Sequence, residues 1–143
     1  MKNLKIWSSV GCLLMVITMF SCSSKSGGEI GKWDDNIKLS QKEAQFSADK
    51  DSIVITTEGG WWWIANIALN GNSDYDLHDI DTSQENFVID EPEFRIERKN
   101  STEIHIVMEK NQTGSERNLI IGLEAGDYFD GIKIVQAADL DEK

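Results

Sequence analysis

Apolar and polar residues alternate along this chain in short runs, and turn residues separate the runs at intervals of about 8 to 12 positions. Ile104, Ile106 and Met108 share one parity of residues 102–108, with His105 on the other. Leu119, Ile121 and Leu123 repeat the pattern in residues 117–123, as do Ile132 and Ile134 in residues 128–136. Period two with one apolar parity marks a half-buried strand, because pleating sends successive side chains to opposite faces. The same reading predicts strands over residues 52–57, 61–69 and 93–97. It adds a short one over 87–89, ahead of the single proline Pro92, and a broken first strand from 37–40 and 45–48. No stretch repeats its apolar residues at helical spacing. The expected fold is all-β, an immunoglobulin-like antiparallel β-sandwich of about seven strands. It would occupy residues 34–137, with Trp33 to Asn36 leading in and 138–143 a disordered tail.

The third run contains Trp61, Trp62 and Trp63 in succession. Adjacent strand residues cannot share a face, so the triplet must divide. The odd set (Trp61, Trp63, Ala65, Ile67, Leu69) is wholly apolar, and the even set (Trp62, Ile64, Asn66, Ala68, Asn70) is mixed. Parity therefore assigns Trp61 and Trp63 to the core and turns Trp62 outward. A register slip or a bulge after Gly59-Gly60 would invert that assignment. An outward indole has two readings: a ring packed under a loop, or a flat platform on which the CH-rich face of a sugar stacks.

Residues 1–21 carry Lys2 and Lys5, no acid, and an 11-residue apolar stretch, VGCLLMVITMF. That is too short to span a bilayer and has the form of a secretory signal peptide. Ser21-Cys22 follows directly, which resembles a bacterial lipoprotein signal and makes Cys22 the expected lipidation site, although Met19 and Phe20 depart from the usual pattern. The alternative is ordinary signal-peptidase cleavage near Ser21. The remaining cysteine is Cys12, so the folded part can form neither a disulfide framework nor a cysteine metal site. Residues 22–33 (Ser/Gly-rich SSKSGG within them) read as an acylated cysteine and flexible tether. The expected location is the cell envelope, lipid-anchored to the outer membrane. No acidic cluster follows Cys22, so the periplasmic and surface faces both stay open.

Charge narrows the partners. Lys and Arg number 14 against 25 Asp and Glu, a formal charge of −11. A phosphate backbone needs a basic face, so nucleic acid is not an expected partner. The two histidines, His78 and His105, lie on different elements, and no metal-hydrolase, nucleophile-elbow, dinucleotide or dithiol motif occurs. Carboxylates are plentiful, but no pattern sets two of them across a cleft, so catalysis is not expected and no catalytic residue, cofactor or metal is assigned.

From Phe94 to Ala137 the chain resembles the C-terminal part of a BACON domain, an immunoglobulin-like sandwich found in lipoproteins and glycan-degrading enzymes of gut bacteria. The tryptophan triplet, Phe94-Arg95-Ile96, the Asn111…Arg117 turn and the close on Ile132, Ile134 and Gln136 carry the likeness. Leu39, Phe46, Ala48 and SIVITT extend it upstream. The resemblance implies a carbohydrate-binding module, mucin glycans among the ligands, although some members of that family act as rigid spacers. Arg117 is expected to bind a turn carbonyl or carboxylate, and Gln136 to satisfy backbone groups. Asp51-Ser52-Ile53 matches a short O-glycosylation pattern of such bacteria.

The departure from that family lies between the tryptophan strand and Phe94, where NGNSDYDLHDIDTSQENFVIDEPE replaces a short connection. Asn70, Asn72, Asp74, Asp76 and Asp81 are spaced loosely like a calcium loop, without its central glycine or terminal glutamate. Long loops in compact domains are functional or mobile. The expected ligand residues are Trp62 with Tyr75, Asp74, Asp76 and His78. Two functions remain: a glycan-binding lipoprotein, or a spacer with a protein partner in the envelope, held to the membrane through lipid alone.

Overall fold

The computed structural model describes residues 33–77 and 79–139. Among them eight strands form: β1 (Glu43–Phe46), β2 (Asp51–Thr56), β3 (Trp63–Leu69), β4 (Phe87–Asp90), β5 (Phe94–Lys99), β6 (Glu103–Met108), β7 (Arg117–Ala125) and β8 (Tyr128–Gln136). Sheet A has the order β1-β8-β7-β3 and sheet B the order β2-β6-β5-β4. With no helix among the described residues, the domain is an all-β sandwich, as alternation requires.

One pairing departs from expectation. Residues 87–90 form an edge strand, β4, where a short strand over 87–89 is expected, paired with β5 from Phe87–Arg98 to Asp90–Arg95. β1 runs parallel to β8, with Ala44 opposite Ile134, so sheet A is not antiparallel throughout. The break in the expected first strand has a structural cause. Ser40 donates its N–H to the Thr56 carbonyl at 2.8 Å, holding residues 37–40 against the end of β2, whereas β1 joins the other sheet. The chain crosses between sheets at that break. The expected loose tail is partly tied down: the Asp139 N–H donates to the Thr113 carbonyl at 3.2 Å. The signal segment, Cys22, the tether through residue 32 and residues 140–143 lie outside the described residues.

The apolar parity of each strand fills the space between the sheets. Ile55, Phe94, Ile96, Ile104, Ile106 and Met108 of sheet B are completely buried against Leu119, Ile121 and Ile134 of sheet A. Each such side chain contributes about 1.5–3 kcal/mol of transfer free energy. β3 ends in Asn70-Gly71, with φ of 52° and 81°. This left-handed pair reverses the chain tightly, as Asn-Gly favours. The Leu69–Asn72 bridge follows, and the long insertion then runs back beside the free edge of β3.

One charged residue enters the core. Phe94, Ile96 and Arg98 share the inward parity of β5, and Arg98 is 1% exposed. Its Nη2 donates to the carbonyls of Gly60 (2.5 Å) and Ser101 (2.9 Å), and its Nη1 to those of Trp62 (2.9 Å) and Gln84 (3.0 Å). Burial pulls its pKa below the ordinary arginine value, and Glu85 opposes that. The guanidinium thus ties three loops to one strand, and its planar fork of five donors suits the task.

Candidate functional site

The tryptophan triplet divides the other way from the parity assignment. Trp62 is 2% exposed and Trp61 is 95% exposed, with Trp63 half-buried. The cause is a β-bulge. Trp63 pairs with Glu124 and Ile64 with Leu123, but Asn66 pairs with Gly122, leaving Ala65 as an extra residue. Before the bulge the even positions Trp62 and Ile64 face inward. After it the odd positions Ile67 and Leu69 do. A single inserted residue switches the inward parity, so a count along the whole segment misassigns its first half.

Trp62 is fixed by more than packing. Its indole N–H lies 3.1 Å from Thr57 Oγ1 and 3.0 Å from the Gly59 carbonyl oxygen, sharing one hydrogen between them. The Arg98 guanidinium carbon sits 3.7 Å from the ring centroid, a cation–π contact inside the domain. Trp62 is therefore a core residue and is not available to a ligand.

The insertion builds a cleft of about 550 Å³ between the free edge of β3 and residues 73–77, Ile80 and Thr82. Ile64, Ala65, Asn66 and Ile67 form one wall, and Asp74, Tyr75, Asp76 and Leu77 lie opposite. The Thr82 hydroxyl donates to the Ile64 carbonyl at 2.9 Å and pins the loop's return to β3. The Tyr75 ring meets Phe94 edge-on, with centroids 5.2 Å apart and planes at 71°. Burial, helped by Glu93 and Glu91, raises the pKa of its hydroxyl, so Tyr75 acts as a neutral hydrogen-bonding group. The structure thus brings Asp74, Tyr75 and Asp76 to one cleft and excludes Trp62 from it. His78 lies outside the described residues.

The outer faces of the two sheets differ in chemistry. On sheet B, Val54, His105, Glu97 and Val88 lie side by side across four strands. The rows on either side contain Arg95, Asp90, Lys99 and Glu103, joined in ion pairs such as Arg95–Asp90 (3.2 Å) and Lys99–Glu97 (3.4 Å). Such a surface is solvated. On sheet A the corresponding row is Trp63, Glu124 and Phe129, with Phe129 68% exposed and Trp61 just beyond. The next row is Asn66, Gly122 and Gly131, and the one after is Ala68, Ile120 and Lys133. The middle row has almost no side chains. A Cβ on Gly122 would come within 1.9 Å of Asn66 Oδ1, so the Asn66 amide lies flat across that glycine. Asn66 also lines the cleft, so cleft and face adjoin.

Sequence reasoning did not single out Trp61, Trp63, Phe129, Asn66, Gly122 or Gly131 as site residues. The available signal was a glycine at an outward position in each of two neighbouring strands, where a β-branched residue is the usual choice. Other assignments agree with the structure. Arg117 Nη1 donates to the Glu109 carbonyl at 3.2 Å, and Gln136 Nε2 donates to the carbonyls of Glu109 (3.0 Å) and Asp49 (3.1 Å). His105 contacts Glu103 at 2.8 Å on the charged face, far from the cleft in sheet order. Among the described residues no group of three His, Cys, Asp or Glu side chains is placed to hold a metal ion.

No family model matches the chain, and no curated protein matches it. Among solved structures it is similar to a protein from Bacteroides thetaiotaomicron determined by NMR. That protein is 22% identical, with a TM-score of 0.61 over 77% of this chain and 93% of the other. At that identity the likeness is one of fold.

Proposed function

We propose that this chain is a non-catalytic, lipid-anchored protein of the cell envelope that binds glycan through the outer face of sheet A and the adjoining cleft. The observation that carries the reading is the contrast between the two outer faces. One is laced with ion pairs, and the other presents Trp61, Trp63 and Phe129 around the carboxylate of Glu124, beside a recess lined by Asp74, Tyr75 and Asp76. Exposed aromatic rings on rigid strands give sugars apolar faces to stack on, and nearby carboxylates and amides accept and donate hydrogen bonds to their hydroxyls. The resemblance to BACON domains supports the same function, with the platform formed by Trp63 and Phe129 in place of Trp62. The expected anchor is a lipid on Cys22 in the outer membrane.

A second reading, a protein-interaction lipoprotein, is favoured by Trp61 at 95% and Trp33 at 57% exposure, since isolated exposed indoles also anchor protein interfaces. Titration of the full chain with host and dietary glycans, followed by tryptophan fluorescence, separates the two. The proposal expects a saturable shift that is lost in Trp63→Ala and retained in His105→Ala. A flat response to every glycan, together with capture of a defined envelope protein by cross-linking through Trp61, would favour the second reading. Incorporation of labelled palmitate, abolished by Cys22→Ser, tests the anchor.

A further inference from the structure

We infer that the row Asn66–Gly122–Gly131 is a binding track for a linear, uncharged glycan that crosses the strands of sheet A and ends in the cleft beside β3. The inference rests on the glycan-binding reading and specifies the shape and charge of the ligand. Gly122 pairs with Asn66 on one side and Gly131 on the other, so the row runs at right angles to β3, β7 and β8. The rows on either side rise above it, Trp63 and Phe129 forming one wall and Ile120 the other. Outward residues in successive rows of a strand are about 6.8 Å apart, so the two walls stand about 13–14 Å apart at the backbone. Their own side chains occupy part of that width, leaving room for one saccharide chain and none for a branch.

The floor is low because Gly131 has no side chain and the Asn66 carboxamide lies over Gly122, where it can donate hydrogen bonds to ring hydroxyls and accept them from ring hydroxyls. At β3 the track meets the 550 Å³ cleft through Ala65 and Asn66, which line it. Three strands side by side span about 9.5 Å between the outer two. The cleft adds a comparable length, so the combined site matches roughly three or four sugar rings rather than one.

Charge sets the class of chain. Glu124 stands within the aromatic wall, Asp74 and Asp76 line the cleft, and the whole chain carries −11. Uronate, sulfate and sialate groups brought onto this surface meet repulsion from these carboxylates, which Lys133 beside Ile120 only partly offsets, whereas neutral or amino sugars do not.

The test is a length series by calorimetry on the full chain, using β-linked gluco-, xylo- and manno-oligosaccharides from disaccharide to hexasaccharide, with polygalacturonate and heparin alongside. Affinity is expected to rise through the tetrasaccharide and then level, with no binding of either polyanion. Gly131→Val raises the floor at the far end of the track. It should weaken the hexasaccharide by about tenfold, bringing its affinity toward that of the disaccharide. A disaccharide that binds the wild-type chain as tightly as the hexasaccharide would overturn the track while leaving a glycan site in place. So would preferential binding of a polyanion. Silence toward every saccharide would remove the glycan-binding reading itself. The wild-type length series decides the matter even if Gly131→Val proves unstable, since a Cβ there approaches the Ile121 carbonyl oxygen at 3.2 Å.

Discussion

Replacing Arg98 with methionine keeps most of the side-chain length and removes the fork. In the native domain four carbonyl oxygens, those of Gly60, Trp62, Ser101 and Gln84, lie 2.5–3.0 Å from guanidinium nitrogens. A buried carbonyl deprived of its donor costs about 1–3 kcal/mol. The bond to Trp62 lies wholly inside, whereas those to Gly60, Ser101 and Gln84 are partly open and can be rehydrated, so one or two full penalties apply. Loss of the cation–π contact at 3.7 Å adds about 1–2 kcal/mol. Against this, methionine avoids burying a charge whose partners are carbonyls rather than carboxylates, which returns part of the loss. The net expectation is a destabilisation of about 3 kcal/mol, or roughly 12–24 °C in Tm for a domain of this size. Urea and thermal unfolding of Arg98→Met and Arg98→Lys measure it. Lysine retains the charge but cannot span the carbonyls, so it too should be destabilised, by at least about 2 kcal/mol. A methionine variant within about 1 kcal/mol of the wild type, or a lysine variant equal to it, would refute the view that the fork holds these loops.

The other expectations follow from single contacts. Trp62→Ala should cost about 3–5 kcal/mol in urea unfolding, and Trp61→Ala less than about 0.5, the reverse of the order expected from parity alone. Gly122→Ala should cost about 1–3 kcal/mol because its methyl displaces the Asn66 amide, and Asn66→Ala in the same chain should recover most of that in a double-mutant cycle. Tyr128 predicts an alkaline limit. Burial, with Asp130 and Asp35 close by, pushes its pKa from 10 up to about 12, so the folded state holds the proton more tightly than the unfolded chain does. The resulting stability is complete below pH 10 and is lost as pH rises toward 12, a fall that Tyr128→Phe should reduce in unfolding curves taken across that window.

Much of this fold is legible residue by residue. The alternation in β6 and β7 fixes both the strands and their buried faces, because each is regular from end to end, whereas β8 alternates through Ile132 and Ile134 and then buries Val135 and Gln136 in succession. β3 misleads because a bulge is a property of the pair: nothing within WWWIANIAL shows that Ala65 has no partner on β7. The parallel pairing of β1 with β8 is hidden for a similar reason, since it joins residues some ninety positions apart in the chain. Arg98 was closer to view. Its parity with Phe94 and Ile96 places it on the inward face, but an inward arginine makes sense only once the carbonyls of three separate loops are seen converging on it. The candidate site divides along the same lines. Asp74, Tyr75 and Asp76 could be found because the insertion carrying them is conspicuous in the sequence. The track on sheet A could not, because it exists only when Gly122 and Gly131 are laid side by side.

The most direct test of the account is an NMR titration of the isotope-labelled full chain with a neutral linear hexasaccharide. Amide shifts should concentrate at Asn66, Gly122, Gly131 and Glu124, with the indole N–H signals of Trp63 and Trp61 moving and the backbone amide signals of His105 and Val54 on sheet B staying still. Shifts gathered on sheet B, or a spectrum unchanged at saturating sugar, would contradict it.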